Sequence, residues 1–128
     1  MAITIDTHAL IWYIDRDLHP KLSKKALKTV YQAETESTIY IPIIVLMEVL
    51  YLYEKGRINL AFKNLLTKIV NSSNYKIIPF DLDILKVVET LEGLEAHDRI
   101  ILATAQITDT PLVSKDRELR KTNTNVIW

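Results

Sequence analysis

Residues 38–53 read TIYIPIIVLMEVLYLY, and two elements follow from that stretch. Residues 38–41 are a β-rich run that reads as a strand. Pro42 stands where the first position of a helix best tolerates it. Residues 43–53 contain no Gly or Pro and one charge, Glu48, so they read as a helix apolar on every side and packed inside the protein. A lone carboxylate in such a place is costly unless something pairs with it. No Lys or Arg lies within a helical turn of Glu48, so either it points to water or its partner, a cation, comes from elsewhere in the chain.

The same strand-then-helix unit recurs on both sides. Residues 2–5 read as a strand ending at Asp6, and residues 7–14 as a helix. A polar break over 15–20 precedes a helix over 23–34, with Ser23 as its cap and Leu22 and Leu27 placed as a hydrophobic staple. Gly56 is positioned to stop the helix of 43–53, and a third helix covers 59–70. Residues 75–80 form a strand, Asp81 caps the next helix, and after Gly93 a helix begins near Asp98. Residues 111–114 (PLVS) make a strand that runs into Lys115, Asp116 and Arg117. A short basic helical turn and a closing strand over 125–128 complete the chain. Strands alternating with helices predict an α/β fold, a three-layer α/β/α arrangement around a short, mainly parallel sheet, in a single domain over residues 1–128.

Composition narrows the chemistry. Of 128 residues, Lys and Arg total 16 and Asp and Glu total 16, so bulk charge attracts no polyanion. The absence of cysteine excludes disulfides, thiolate catalysis and zinc-finger ligation. The first residues, MAITIDTHAL, lack the basic region and apolar run of a signal peptide, and the longest apolar run is broken by Pro42 and Glu48. A cytoplasmic protein with no membrane partner is expected. No glycines flank a serine in the manner of a nucleophile elbow, so serine catalysis is set aside.

In an open parallel sheet, ligands bind beyond the carboxyl ends of the strands. Asp6 ends the first strand and Asp116 lies just past the fourth. Asp98 opens the helix that leads into the fourth strand, and Glu48 sits in the helix that leaves the second. Four acids from four elements are therefore expected at one edge. Their mutual repulsion raises their pKa values unless a cation compensates. Oxygen ligands without Cys or His favour Mg²⁺ or Mn²⁺. Each acid also has a plain structural reading: Asp6 as a strand-end cap, Asp98 as a first-turn helix acid, Asp116 as part of a solvated charged turn.

DTHALIW at residues 6–12, Glu48 after a strand and Pro42, HDRIILATA at 97–105, LVSKD at 112–116 and the final VIW together resemble the PIN-domain family. The likeness is closest to the small VapC-like toxins of prokaryotic toxin–antitoxin pairs. It covers essentially the whole chain, and its specificity lies in the ordered set rather than in any one motif. It departs from the family in having Leu46 and Met47 beside the helical Glu, where a small residue is common. The resemblance implies that Asp6, Glu48, Asp98 and Asp116 surround Mg²⁺ or Mn²⁺ and support endoribonuclease activity. Thr7 and Ser114 would orient the acids or their waters. It also implies an antitoxin partner and a homodimer.

Arg99 is expected either to touch RNA or to steady an acid of the site. Lys21, Lys24, Lys25 and Lys28, with Lys115, Arg117 and Arg120, could guide an RNA backbone, although such a stripe is commonly just a solvated face. Tyr51, Tyr53 and Trp12 could stack on bases, with packing as the plainer reading. His8 and His19 share no metal-ligand spacing with each other or with His97 and are left out of the chemistry, whereas His97, beside Asp98, could touch a phosphate, with a surface role as its plainer reading. Two rivals remain. One is a receiver-like phospho-acceptor domain using Asp81, and the other is a PIN-like domain that only binds a partner.

Overall fold

The apolar run Ile3–Ile5 forms strand β1, buried along its whole length. Asp6 ends it and caps helix α1 (Thr7–Ile14) by accepting the Thr7 N–H. A computed structural model describes residues 1–128. Onward run α2 (Lys24–Glu36), β2 (Ile39–Pro42), α3 (Ile43–Glu54), α4 (Phe62–Asn71) and β3 (Tyr75–Ile78). The chain continues through α5 (Leu82–Glu89), α6 (Ala96–Ile107), β4 (Leu112–Val113), α7 (Arg117–Arg120) and β5 (Val126–Ile127). Every pairing in the sheet is parallel, in the order β3-β2-β1-β4-β5. Helices cover both faces, as a parallel sheet requires.

The local signals act where the sequence places them. Ser23 accepts from Ala26 N–H at 3.0 Å to cap α2, and Asp81 accepts from Ile84 N–H at 3.0 Å to cap α5. Gly56, at φ +69°, ends α3 in a Schellman motif. Its N–H bonds the Tyr53 carbonyl at 3.0 Å, and Arg57 N–H bonds that of Leu52 at 2.9 Å. Two expectations are corrected. The segment after α1 is a 3₁₀ helix, Arg16–Lys21, started by Asp15 accepting from Asp17 N–H, and not an irregular break. Pro42 is the last residue of β2 as well as the cap of α3, because its fixed φ suits both.

Helix α3 also departs from its sequence reading. Val45, Leu46 and Val49 are buried, but Ile43, Met47 and Tyr51 form an exposed apolar stripe at four-residue spacing. An all-apolar helix need not be enclosed if one face awaits a partner. The core joins α1, α2, α3, α4 and α6 to the sheet, and Leu102 of α6 is wholly buried in it. Leu102→Ala should cost roughly 2–5 kcal/mol in urea unfolding, and a loss below about 1 kcal/mol would show that α6 is not a pillar of the core. No helix is long and apolar enough to cross a membrane.

Candidate acidic active site

β1 and β4 are neighbours at the centre of the sheet. Their carboxyl ends deliver Asp6 and Ser114 to each other, and the Ser114 hydroxyl donates to Asp6 Oδ2 at 2.6 Å. Thr7 N–H donates to the other oxygen, Oδ1, at 2.7 Å. Ser114 Oγ in turn accepts Asp116 N–H at 3.0 Å, which fixes the turn beyond β4. Asp116 caps α7 by accepting Glu118 N–H at 2.8 Å. Across the cavity, the Thr7 hydroxyl donates to Glu48 Oε1 at 2.9 Å. Thr7 and Ser114 are both buried, so each acts as a rigid brace for an acid.

Asp98 enters from the first turn of α6. Glu95 caps that helix by accepting His97 and Asp98 N–H, and those bonds hold its own carboxyl below the usual range. The Asp98 carboxylate has no hydrogen-bond or ion-pair partner in the chain. All four predicted acids line one cavity of about 500 Å³, together with Thr7, His8, Trp12 and Lys115. They line it without closing into a formed ligand shell.

Electrostatics mark the cavity. Burial pushes the Asp6 carboxyl up, against the opposing pull of its Ser114 and Thr7 donors. Burial likewise raises Glu48, with the Thr7 bond opposing and Asp6 adding to the rise. Asp98 is raised from 3.8 to about 7, first by burial and then by the charges of Asp116, Asp6, Glu95 and Glu48. In donor chemistry, an all-oxygen set whose members repel one another suits a hard divalent cation such as Mg²⁺ or Mn²⁺.

Other expected residues fall elsewhere. Arg99 is half-buried and does not line the acid cavity. Its Nε and Nη2 donate to the Val88 carbonyl at 3.2 and 2.8 Å and clamp the end of α5 to α6. Lys24 and Lys28 line a different cleft with Arg16 and Lys68, toward the amino ends of the strands. They therefore do not lead past the acids. Lys25, Arg117 and Arg120 are exposed, whereas Lys21 and Lys115 both lie over the Trp12 ring. Asp81 is an exposed helix cap beyond edge strand β3 and lies outside the cavity, which removes the basis for a receiver-like acceptor.

Two histidines take places that the sequence reading did not give them. His97 Nδ1 lies 3.8 Å from Glu48 Oε2, making it the nearest basic group to the acid that had seemed unpaired. His8 sits in the cavity wall one residue beyond Thr7. The signal for His97 was its place next to Asp98, which only a fixed helix register converts into proximity to Glu48.

The sheet order and the acids at its carboxyl edge define an all-parallel, three-layer α/β protein with an acidic cavity beyond its strand ends. A PIN domain model matches residues 3–125, and the chain belongs to the PIN domain family. No curated protein matches it in sequence. Among solved structures it resembles a toxin–antitoxin complex from Klebsiella pneumoniae, with TM-score 0.70 and 22% identity over 98% of this chain and 96% of that one. It also resembles VapBC2 from Rickettsia felis bound to a promoter DNA fragment, with TM-score 0.69 and 17% identity over 98% and 97%. FitAcB from Neisseria gonorrhoeae aligns with TM-score 0.64 and 18% identity over 97% and 95%.

Proposed function

We propose that the chain is a single-domain, metal-dependent endoribonuclease and the toxin of a toxin–antitoxin pair. The observation that carries this reading is Asp98, a carboxylate with no partner in the chain, raised to about 7, in a cavity with three other acids. Membership of the PIN family and the likeness to toxin–antitoxin structures support it. Asp6, Glu48, Asp98 and Asp116 would hold Mg²⁺ or Mn²⁺. When bound, such a cation supplies positive charge opposite the phosphoryl oxygens and acidifies water for hydrolysis. Ser114 and Thr7 keep Asp6 and Glu48 oriented, so neither carboxylate must reorganise when the substrate arrives. One of the four carboxylates would accept the proton of the attacking water.

The antitoxin in this reading is a protein that covers the cavity, and the exposed stripe of Ile43, Met47 and Tyr51 offers surface for it or for a second copy in a homodimer. A cytoplasmic setting is part of the same proposal. The test is to incubate the protein with RNA and Mn²⁺ and map the new ends. Water attack leaves a 5′-phosphate and a 3′-hydroxyl, whereas 2′,3′-cyclic phosphate ends would overturn the route. Growth arrest on induced expression of the wild type, absent with Asp6→Asn, checks the toxin role.

A further inference from the structure

Four acids cannot by themselves attract a polyanion, so a substrate needs positive charge and a surface for its bases next to the cavity. Both occur at one side chain. Trp12 of α1 forms part of the acid cavity wall and also part of the wall of an adjoining cavity of about 480 Å³. Lys115 belongs to the first cavity, and Lys21 and Arg57 belong to the second. The ammonium groups of Lys21 and Lys115 each lie 5.6 Å from the Trp12 ring centroid. The ring is braced by His8, tilted at 5.6 Å, and by Trp128, edge-on at 6.0 Å. Trp12 is thus a fixed, half-exposed plane between the acidic cavity and a hollow in which Lys21 and Arg57 outnumber one acid, Asp15.

We propose that Trp12 is a base-stacking platform that seats a nucleotide of single-stranded RNA beside the acid cavity, with Lys21 and Lys115 holding the flanking phosphates. This rests on the ribonuclease reading and adds the residues that seat the substrate beside the acids. Both lysines are exposed and carried on flexible stems. A cation over an exposed ring is held more weakly than a stacked base. A base can therefore take the ring while each ammonium swings to a phosphate and keeps its charge paired. Stacking needs an unpaired base, which a duplex does not present, so the platform selects single strands. Arg57, in the second hollow, extends the positive path away from the acids.

The test measures binding of a fluorescein-labelled single-stranded RNA octamer, and of the same sequence as a duplex, in EDTA so that no cleavage occurs. Trp12→Ala should weaken single-strand binding roughly tenfold, and Trp12→Phe should restore most of it. Lys21→Gln and Lys115→Gln should each lower the salt dependence by about one counterion. Unchanged Mn²⁺ binding by Trp12→Ala would show that the cavity is intact. Single-strand binding undiminished in Trp12→Ala, or duplex bound as tightly as single strand, would overturn the platform while leaving the nuclease reading in place. If the wild type binds no RNA, both fall.

Discussion

Asp98→Asn is expected to lower cleavage of RNA by on the order of 10²–10³-fold while the protein stays folded. The expectation rests on what Asp98 does not do. It caps no helix, since Glu95 holds the start of α6, and its carboxylate has no partner in the chain. Asparagine keeps its size and removes only its charge and its capacity to take a proton. Asp6→Asn should lose as much activity but is a less discriminating test, because Asp6 also accepts from Ser114 and Thr7 and caps α1. Glu48→Gln can still accept the Thr7 hydroxyl, so it should fold and bind metal more weakly. Excess EDTA should reproduce the loss in the wild type. Initial rates on a fluorogenic RNA, beside a thermal melt of each variant, decide the matter. Full activity in EDTA, or in folded Asp98→Asn, would remove the acids from the chemistry.

Much of this is legible in the sequence because the strands are short and mostly apolar, and β1, β3 and β4 each lead into a helix with a side-chain cap. Asp6, Ser23, Gly56 and Asp81 all act at the ends the sequence assigns to them. The convergence of the acids followed from topology alone. A parallel sheet puts on one edge the strand ends, the helices that leave them and the start of a helix, such as α6, that runs back into the next strand. What stayed hidden depended on neighbours across space. Arg99 adjoins Asp98 in sequence, yet one step around the helix turns it toward the Val88 carbonyl. His97 becomes Glu48's nearest basic group only once α3 and α6 are packed together. The outward stripe of α3 was unreadable for another reason: apolar residues record that a face is to be covered, but not by what. The lysines part for the same reason, since Lys24 and Lys28 line another cleft while Lys21 reaches Trp12 from the 3₁₀ helix before α2.

Without metal, the protein should become less stable as pH rises from about 4 to about 7, and metal should reverse the trend. The folded Asp98 pKa is raised from 3.8 to about 7, so across that window the folded chain holds a proton that the unfolded chain has released. Stability then falls with pH until Asp98 is ionised in both states, and levels off above that. Asp6 and Glu48 are raised as well and act in the same direction. Because Asp98 is only partly buried, solvent screening reduces its contribution to roughly 1–2 kcal/mol. A cation that binds the ionised carboxylates competes with those protons, so its apparent affinity should climb through the same window, with proton release on binding. Thermal melts at pH 5 and pH 8, in EDTA and in Mn²⁺, provide the four values needed, and Asp98→Asn should flatten the EDTA pair. An acid cluster built for stability would have the opposite profile, because carboxylates satisfied within a fold have lowered pKa values and gain stability as they ionise. A metal-free protein that is more stable at pH 8 than at pH 5 would therefore mark these acids as structural.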